Sequence, residues 1–156
     1  MMKKINNSGF THLDSTGQVK MVDVGGKPVQ RREARASGKI ILERDTIKLI
    51  AGNRIEKGSV LTIAKVAGIM AAKRCSESIP LCHPLIINVA DITFTLNEDN
   101  ITAESFISCD GNTGAEMEAL SAVSNSLLTI YDMCKAVDKK MVITDIRLLS
   151  KEKKNI

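Results

Sequence analysis

His83, one of only two histidines, stands beside Cys82 and between Pro80 and Pro84, two of only three prolines in the chain. Each proline fixes its own φ and pushes the residue before it out of helical space, so Ile79 and His83 are biased to extended backbone. The loop is therefore stiff and presents an imidazole. That suits catalysis, which needs a titratable group held in place, although a structural histidine in a loop fits the same residues. Neighbours in extended backbone point in opposite directions, which leaves His83 poorly placed to activate the Cys82 thiol as a nucleophile.

Three further groups of residues have chemical potential. Lys57-Gly58-Ser59 sets an ammonium just before a predicted helix start, where free backbone N–H groups favour an anion; a plain N-cap at Ser59 with a solvated lysine is the competing reading. Glu118, Asn125 and Asp132 are spaced by seven, which puts them within about 40° on one helix face, away from the apolar stripe. Lys135 follows Asp132 at ion-pair spacing, and the two could trade protons if partly desolvated or form a surface pair if not. Thr113 and Glu116 match the T-x-x-E capping box, and Met117 fits simple packing. Cys75, Cys82, His83 and Cys109 have the spacing of no common zinc finger or ribbon, so no metal site is expected.

The elements that must position these residues follow from periodicity. Thr11 to Gly26 alternates weakly and reads as a short strand. Val29 to Glu43 is a long first strand, with Arg32 near its charged start and Ile40, Ile41 and Leu42 at its end. Thr46 to Ala51 makes a short helix stopped by Gly52-Asn53. A second helix starts near Ser59, with Val60, Ile63, Ala67 and Met70 as its apolar positions, and runs past Lys73 into the proline loop. Ile86 to Leu96 alternates, with Ile86, Asn88, Ala90, Ile92, Phe94 and Leu96 on one side, then turns at Asn97–Asn100 into Ile101 to Cys109 as an antiparallel hairpin. A long helix from Thr113 to about Val137 carries the stripe Leu120, Val123, Leu127, Ile130, Cys134 and Val137. Met141 to Leu149 is the closing strand. The order β-α-α-β-β-α-β predicts an α+β sandwich, a mostly antiparallel sheet with helices on one face.

With 156 residues, 44% of them hydrophobic and 26% charged, the chain is expected to form one domain over 1–156, with flexible ends at 1–10 and 150–156. No apolar run approaches the roughly 20 residues of a membrane helix, and Met1-Met2-Lys3-Lys4 leads into polar residues, so a cytoplasmic protein with no membrane partner is expected. The four cysteines are then free thiols. A net charge of +4 with only 3% aromatics argues against nucleic acid, RNA included, and favours a small anionic ligand.

Several long segments, in order from Thr11 to Leu149, resemble the cyclic pyranopterin monophosphate synthase family, molybdenum cofactor biosynthesis protein C. They are Thr11-His12-Leu13-Asp14, Met21-Val22-Asp23-Val24, Arg32-Glu33-Ala34-Arg35, Ala67 to Arg74, Ile79 to Leu85, Gly114 to Leu120, and Thr129 to Val137. The resemblance implies a ferredoxin-like sandwich and a homo-hexamer built as a trimer of dimers. It also implies a lyase that takes 3′,8-cyclo-7,8-dihydroguanosine 5′-triphosphate, supplied by a radical enzyme, to cyclic pyranopterin monophosphate and pyrophosphate. By the same resemblance Asp132 is the acid/base and Lys57 and Lys135 are catalytic cations. Leu81, Cys82, His83, Met117 and Glu118 line the substrate pocket, with Glu116, Lys73 and Arg32 in support. No cofactor is implied beyond magnesium loosely held by the substrate's phosphates. The family's glycine-rich lysine tail is missing here: Ser150-Lys151-Glu152-Lys153-Lys154-Asn155-Ile156 stands in its place.

Overall fold

The computed structural model describes Leu13 and residues 16–156. Its elements are β1 (Gln30–Ile41), α1 (Arg44–Ala51), α2 (Val60–Lys73), the single turn α3 (Cys75–Ser78), β2 (Ile87–Leu96), β3 (Asn100–Gly111), α4 (Glu116–Cys134) and β4 (Val142–Lys154). The four strands form one sheet in the order β2-β3-β1-β4, with every neighbouring pair antiparallel. This is the expected α+β architecture, and its strand order is consistent with the ferredoxin-like description. The core lies between the sheet and the helix layer, where Ile40, Ile92, Ile101 and Ile107 meet Val123, Leu127 and Ile130.

Packing of α2 on α4 departs from the predicted stripe. The residues α2 buries are Val60, Ala64, Gly68 and Ala72, while Ile63 and Met70 are exposed. Small residues win because the two helices approach closely: a Cβ on Gly68 would lie 2.3 Å from Ser126 Oγ and 2.8 Å from the Ala122 carbonyl. The Ser126 hydroxyl donates to the Ala64 carbonyl at 3.0 Å, which satisfies a polar group inside that contact. A large apolar residue on α2 would hold the helices apart.

Other expectations also need correcting. Residues 16–29 contain no strand; the bridge between Leu13 and Val19 is the trace of pairing there, and the rest of the predicted Thr11–Gly26 strand, with His12 and Asp14, lies outside the described residues. The alternation read from Ile86 breaks at a register shift between Ile87 and Val89, so Ile87, Ala90 and Ile92 point to the core and Ile86 to solvent. Helix α4 starts at Glu116 and has no side-chain cap, so Thr113 and Glu116 do not form a capping box. It stops at Cys134, and Val137 falls in the following turn and is exposed. Strand β4 runs five residues beyond Leu149, to Lys154, pairing along β1 as far as Arg31. The part of the tail expected to be flexible, from 150 to 154, is thus a paired strand.

Candidate active site

The two halves of the predicted site form at opposite ends of α4. At its C-terminal end, the Lys57 ammonium donates to the Asp132 carboxylate at 3.0 Å and to the Asp132 carbonyl at 2.9 Å. Lys135 reaches the other carboxylate oxygen at 2.6 Å, one turn along the helix. Lys57 is aimed there by the turn before α2, in which Gly58 takes φ +100°, a conformation that L side chains rarely adopt. Hydrogen bonds from Lys135 and then Lys57 hold the Asp132 carboxyl below the usual carboxylate range, and the same contact raises Lys135. All three side chains are about half exposed, so within one chain the group is a solvated base clamped by two cations. A shallow depression beside it, lined by Lys57, Tyr131, Lys135, Ala136, Asp138 and Lys139, has a volume of about 480 Å³.

The N-terminal end of α4 opens onto a cleft of about 450 Å³. The proline loop supplies Leu81, Cys82 and His83, and the first turn of α4 supplies Glu116, Met117 and Glu118. The loop is closed by a turn in which the Cys82 N–H donates to the Ile79 carbonyl at 3.1 Å. Thr113, Gly114, Val22, Val24 and Lys27 complete the lining. Glu118 is only 3% exposed, so it does not lie on a wet face with Asn125 and Asp132 as the seven-residue spacing suggested. Its carboxyl faces the segment carrying Cys75 and Cys82, in hydrogen-bond contact with Cys75. Burial pushes its carboxyl up.

Burial raises the Cys75 thiol to about 11, and burial followed by the Glu118 charge raises Cys82. Neither is poised as a thiolate, which agrees with the poor placement of His83 for activating Cys82. All four cysteines are free. Among the described residues no three His, Cys, Asp or Glu side chains are grouped as metal ligands.

A second depression of about 300 Å³ adjoins the cleft, sharing Gly114 and Glu116 with it. Arg32 lines it, together with Lys151 and Lys153 from β4. Lys151 donates to Glu116 at 2.9 Å. Burial alone would raise Glu116, but the Lys151 hydrogen bond, its own backbone N–H and the charges of Lys151 and Arg32 hold it below the usual range. The tail therefore delivers a cation to the depression beside the cleft by strand pairing, without a glycine hinge. Lys73 is exposed at the end of α2 and lines none of these three depressions.

The sequence, through its family resemblance, thus named residues of both clusters but not Val22 and Val24, which sit in the segment expected to be a strand, nor Lys27 just after it. Gly25-Gly26 was their signal, marking a turn that ends the alternation. No helix among the described residues is long and apolar enough to cross a membrane.

The chain is 53% identical over 144 residues to the cyclic pyranopterin monophosphate synthase of Heliobacterium modesticaldum, covering 91% of each. It is 53% identical over 142 residues to the protein of the same name from Peptoclostridium acidaminophilum, covering 91% of this chain and 90% of that one. A protein of Methanothermobacter thermautotrophicus named probable cyclic pyranopterin monophosphate synthase accessory protein is 52% identical over 151 residues, covering 92% of this chain and 94% of the relative. The model of the MoaC family matches residues 21–154, a span that contains β1, the proline loop and both ends of α4, and the chain belongs to that family.

Proposed function

We propose that this protein converts 3′,8-cyclo-7,8-dihydroguanosine 5′-triphosphate to cyclic pyranopterin monophosphate with release of pyrophosphate, a lyase reaction in molybdenum cofactor biosynthesis. The observation that carries the reading is family membership along nearly the whole chain together with both chemical clusters intact. Rearranging a purine into a pterin requires repeated proton transfers, for which a carboxylate flanked by two ammoniums is suited. Forming the cyclic phosphate while expelling pyrophosphate develops negative charge, which Lys57, Lys135 and the Arg32–Lys151 side can stabilise. The proline loop, Met117 and Glu118 hold the base. Magnesium enters as a loose companion of the phosphates, and no redox group is needed.

Glu118 and Asp132 are fourteen residues apart on α4, which places them about 21 Å apart along the helix. A single reacting centre cannot touch both from one chain. The reading therefore includes a homo-oligomer, a hexamer built from dimers, in which the C-terminal cluster of one chain faces the cleft of its neighbour across a two-fold axis. That closure would also remove water from Asp132, lifting its pKa toward the range an acid/base needs. The enzyme works in the cytoplasm beside the radical enzyme that makes its substrate.

One test is incubation of the purified protein with the cyclic nucleotide triphosphate. Equimolar pyrophosphate and pterin are expected. The word "accessory" in the Methanothermobacter relative's name favours a second reading, a binding protein without turnover, which predicts tight substrate binding and no pyrophosphate.

A further inference from the structure

Asn112 has no part in the chemistry above, yet its side chain joins two walls of the cleft. Its Nδ2 donates to the Lys27 carbonyl at 2.6 Å and to the Val24 carbonyl at 3.3 Å. Two hydrogens meeting two carbonyls fix which way the amide points. Val24 and Lys27 are the ends of a turn through Gly25-Gly26, closed by the Lys27 N–H donating to the Val24 carbonyl at 3.0 Å. The Asp23 carboxylate accepts from the Gly25 N–H at 2.8 Å. This turn lies ahead of β1, with no strand or helix of its own, and it carries Val24 and Lys27 into the cleft, with Val22 just before it. Asn112 itself follows Gly111, the buried last residue of β3, which is paired to Gln30 of β1. The wall after it, Thr113 to Glu118, is anchored by the sheet on one side and α4 on the other.

We propose that Asn112 is a positioning residue that sets the width of the substrate cleft by clasping the Val24–Lys27 turn to the β3–α4 junction. The inference rests on the reading of this cleft as the substrate site and deepens it. Without the clasp the turn samples positions away from the facing wall, and the substrate has to select the closed fraction. Apparent affinity then falls by that fraction. Proton transfer at Asp132 is untouched, because Asn112 contacts no group at that end of α4.

Asn112→Asp keeps the shape but sets carboxylate oxygens against two carbonyls, and Asn112→Ala removes the donors without adding repulsion. In the full-length protein both should raise KM by about five- to tenfold, the order of one or two lost hydrogen bonds, with kcat within about twofold of wild type. Amide exchange at Gly25 and Lys27 should quicken by about tenfold in both, with the amides of α4 unchanged. Exchange at Gly25 and Lys27 equal to wild type in both variants would overturn the clasp. Quickened exchange with an unchanged KM would overturn its role in the cleft. If wild type turns over none of the cyclic nucleotide, the functional reading fails by itself, and the exchange rates still decide whether Asn112 holds the turn.

Discussion

A carboxylate held by two ammoniums stays ionised but is a weak base, and Asp132 is in that state in the single chain. Asp132→Asn keeps the shape and removes the proton acceptor, so it should fold and assemble normally yet lose most turnover; near-normal turnover would end the acid/base assignment. Lys57→Ala and Lys135→Ala should each lower activity by about a hundredfold or more, the order expected of positioned acid/base or electrostatic groups. A change below about threefold would return both to the role of solvated surface lysines. Glu118 makes a different prediction, about stability. Burial raises its carboxyl above the ordinary 4.5, so the folded state holds that proton more tightly than the unfolded chain does. Its contribution is fully present below that ordinary value and is lost as pH rises through the raised folded value. Glu118→Gln has no such dependence, so denaturant titrations at about pH 4 and about pH 7 should find the variant gaining on wild type as pH rises. A constant difference would mean that the carboxyl is not desolvated. At this scale type and spacing marked Lys57, His83, Glu118, Asp132 and Lys135 as candidates, the resemblance grouped them into a site, and the burial of Glu118 was legible in neither. Seven-residue spacing places a side chain on a helix face but cannot say that the Cys75–Cys82 segment crosses that face at one end.

At the scale of elements, the order of strands and helices was legible because β1, the β2–β3 hairpin and α4 have clear periods. The contact between α2 and α4 was not, because it depends on the absence of side chains. Counting apolar residues favoured Ile63 and Met70, whereas the fold uses Ala64, Gly68 and Ala72 to bring two backbones together. Gly68→Ala should therefore destabilise by about 1–3 kcal/mol through overpacking against Ser126 and Ala122, lowering Tm by about 2–4 °C per kcal/mol. An unchanged Tm would show that the helices can part without loss. The reach of β4 was also hidden. Ser150 to Lys154 is polar and charged, as an edge strand often is, and the strand is specified by pairing with β1 and by the Lys151–Glu116 and Lys154–Glu33 ion pairs more than by any apolar pattern.

For the whole molecule, the length of α4 is the governing fact. A rigid helix that carries the cleft at one end and the Asp132 cluster at the other separates them by about 21 Å, so the proposed reaction, if it uses both, requires two chains. Neither cluster is unusual alone: one is a solvated ion-pair group, the other a half-apolar cleft. Sequence could reveal each and the distance between them, since that distance follows from residue number on a helix. It could not reveal the face on which chains meet, because interface residues and ordinary surface residues are drawn from the same types. The account is tested most directly by mixing. Glu118→Gln and Asp132→Asn chains, each first assayed alone and expected to be inactive, are dissociated together and re-assembled, with wild-type chains treated the same way as the control. A shared site predicts that part of the activity returns, because some dimers then hold one cleft with Glu118 facing one intact Asp132. If the mixture stays as inactive as either parent while the wild-type control recovers, each site belongs to a single chain and the account is wrong.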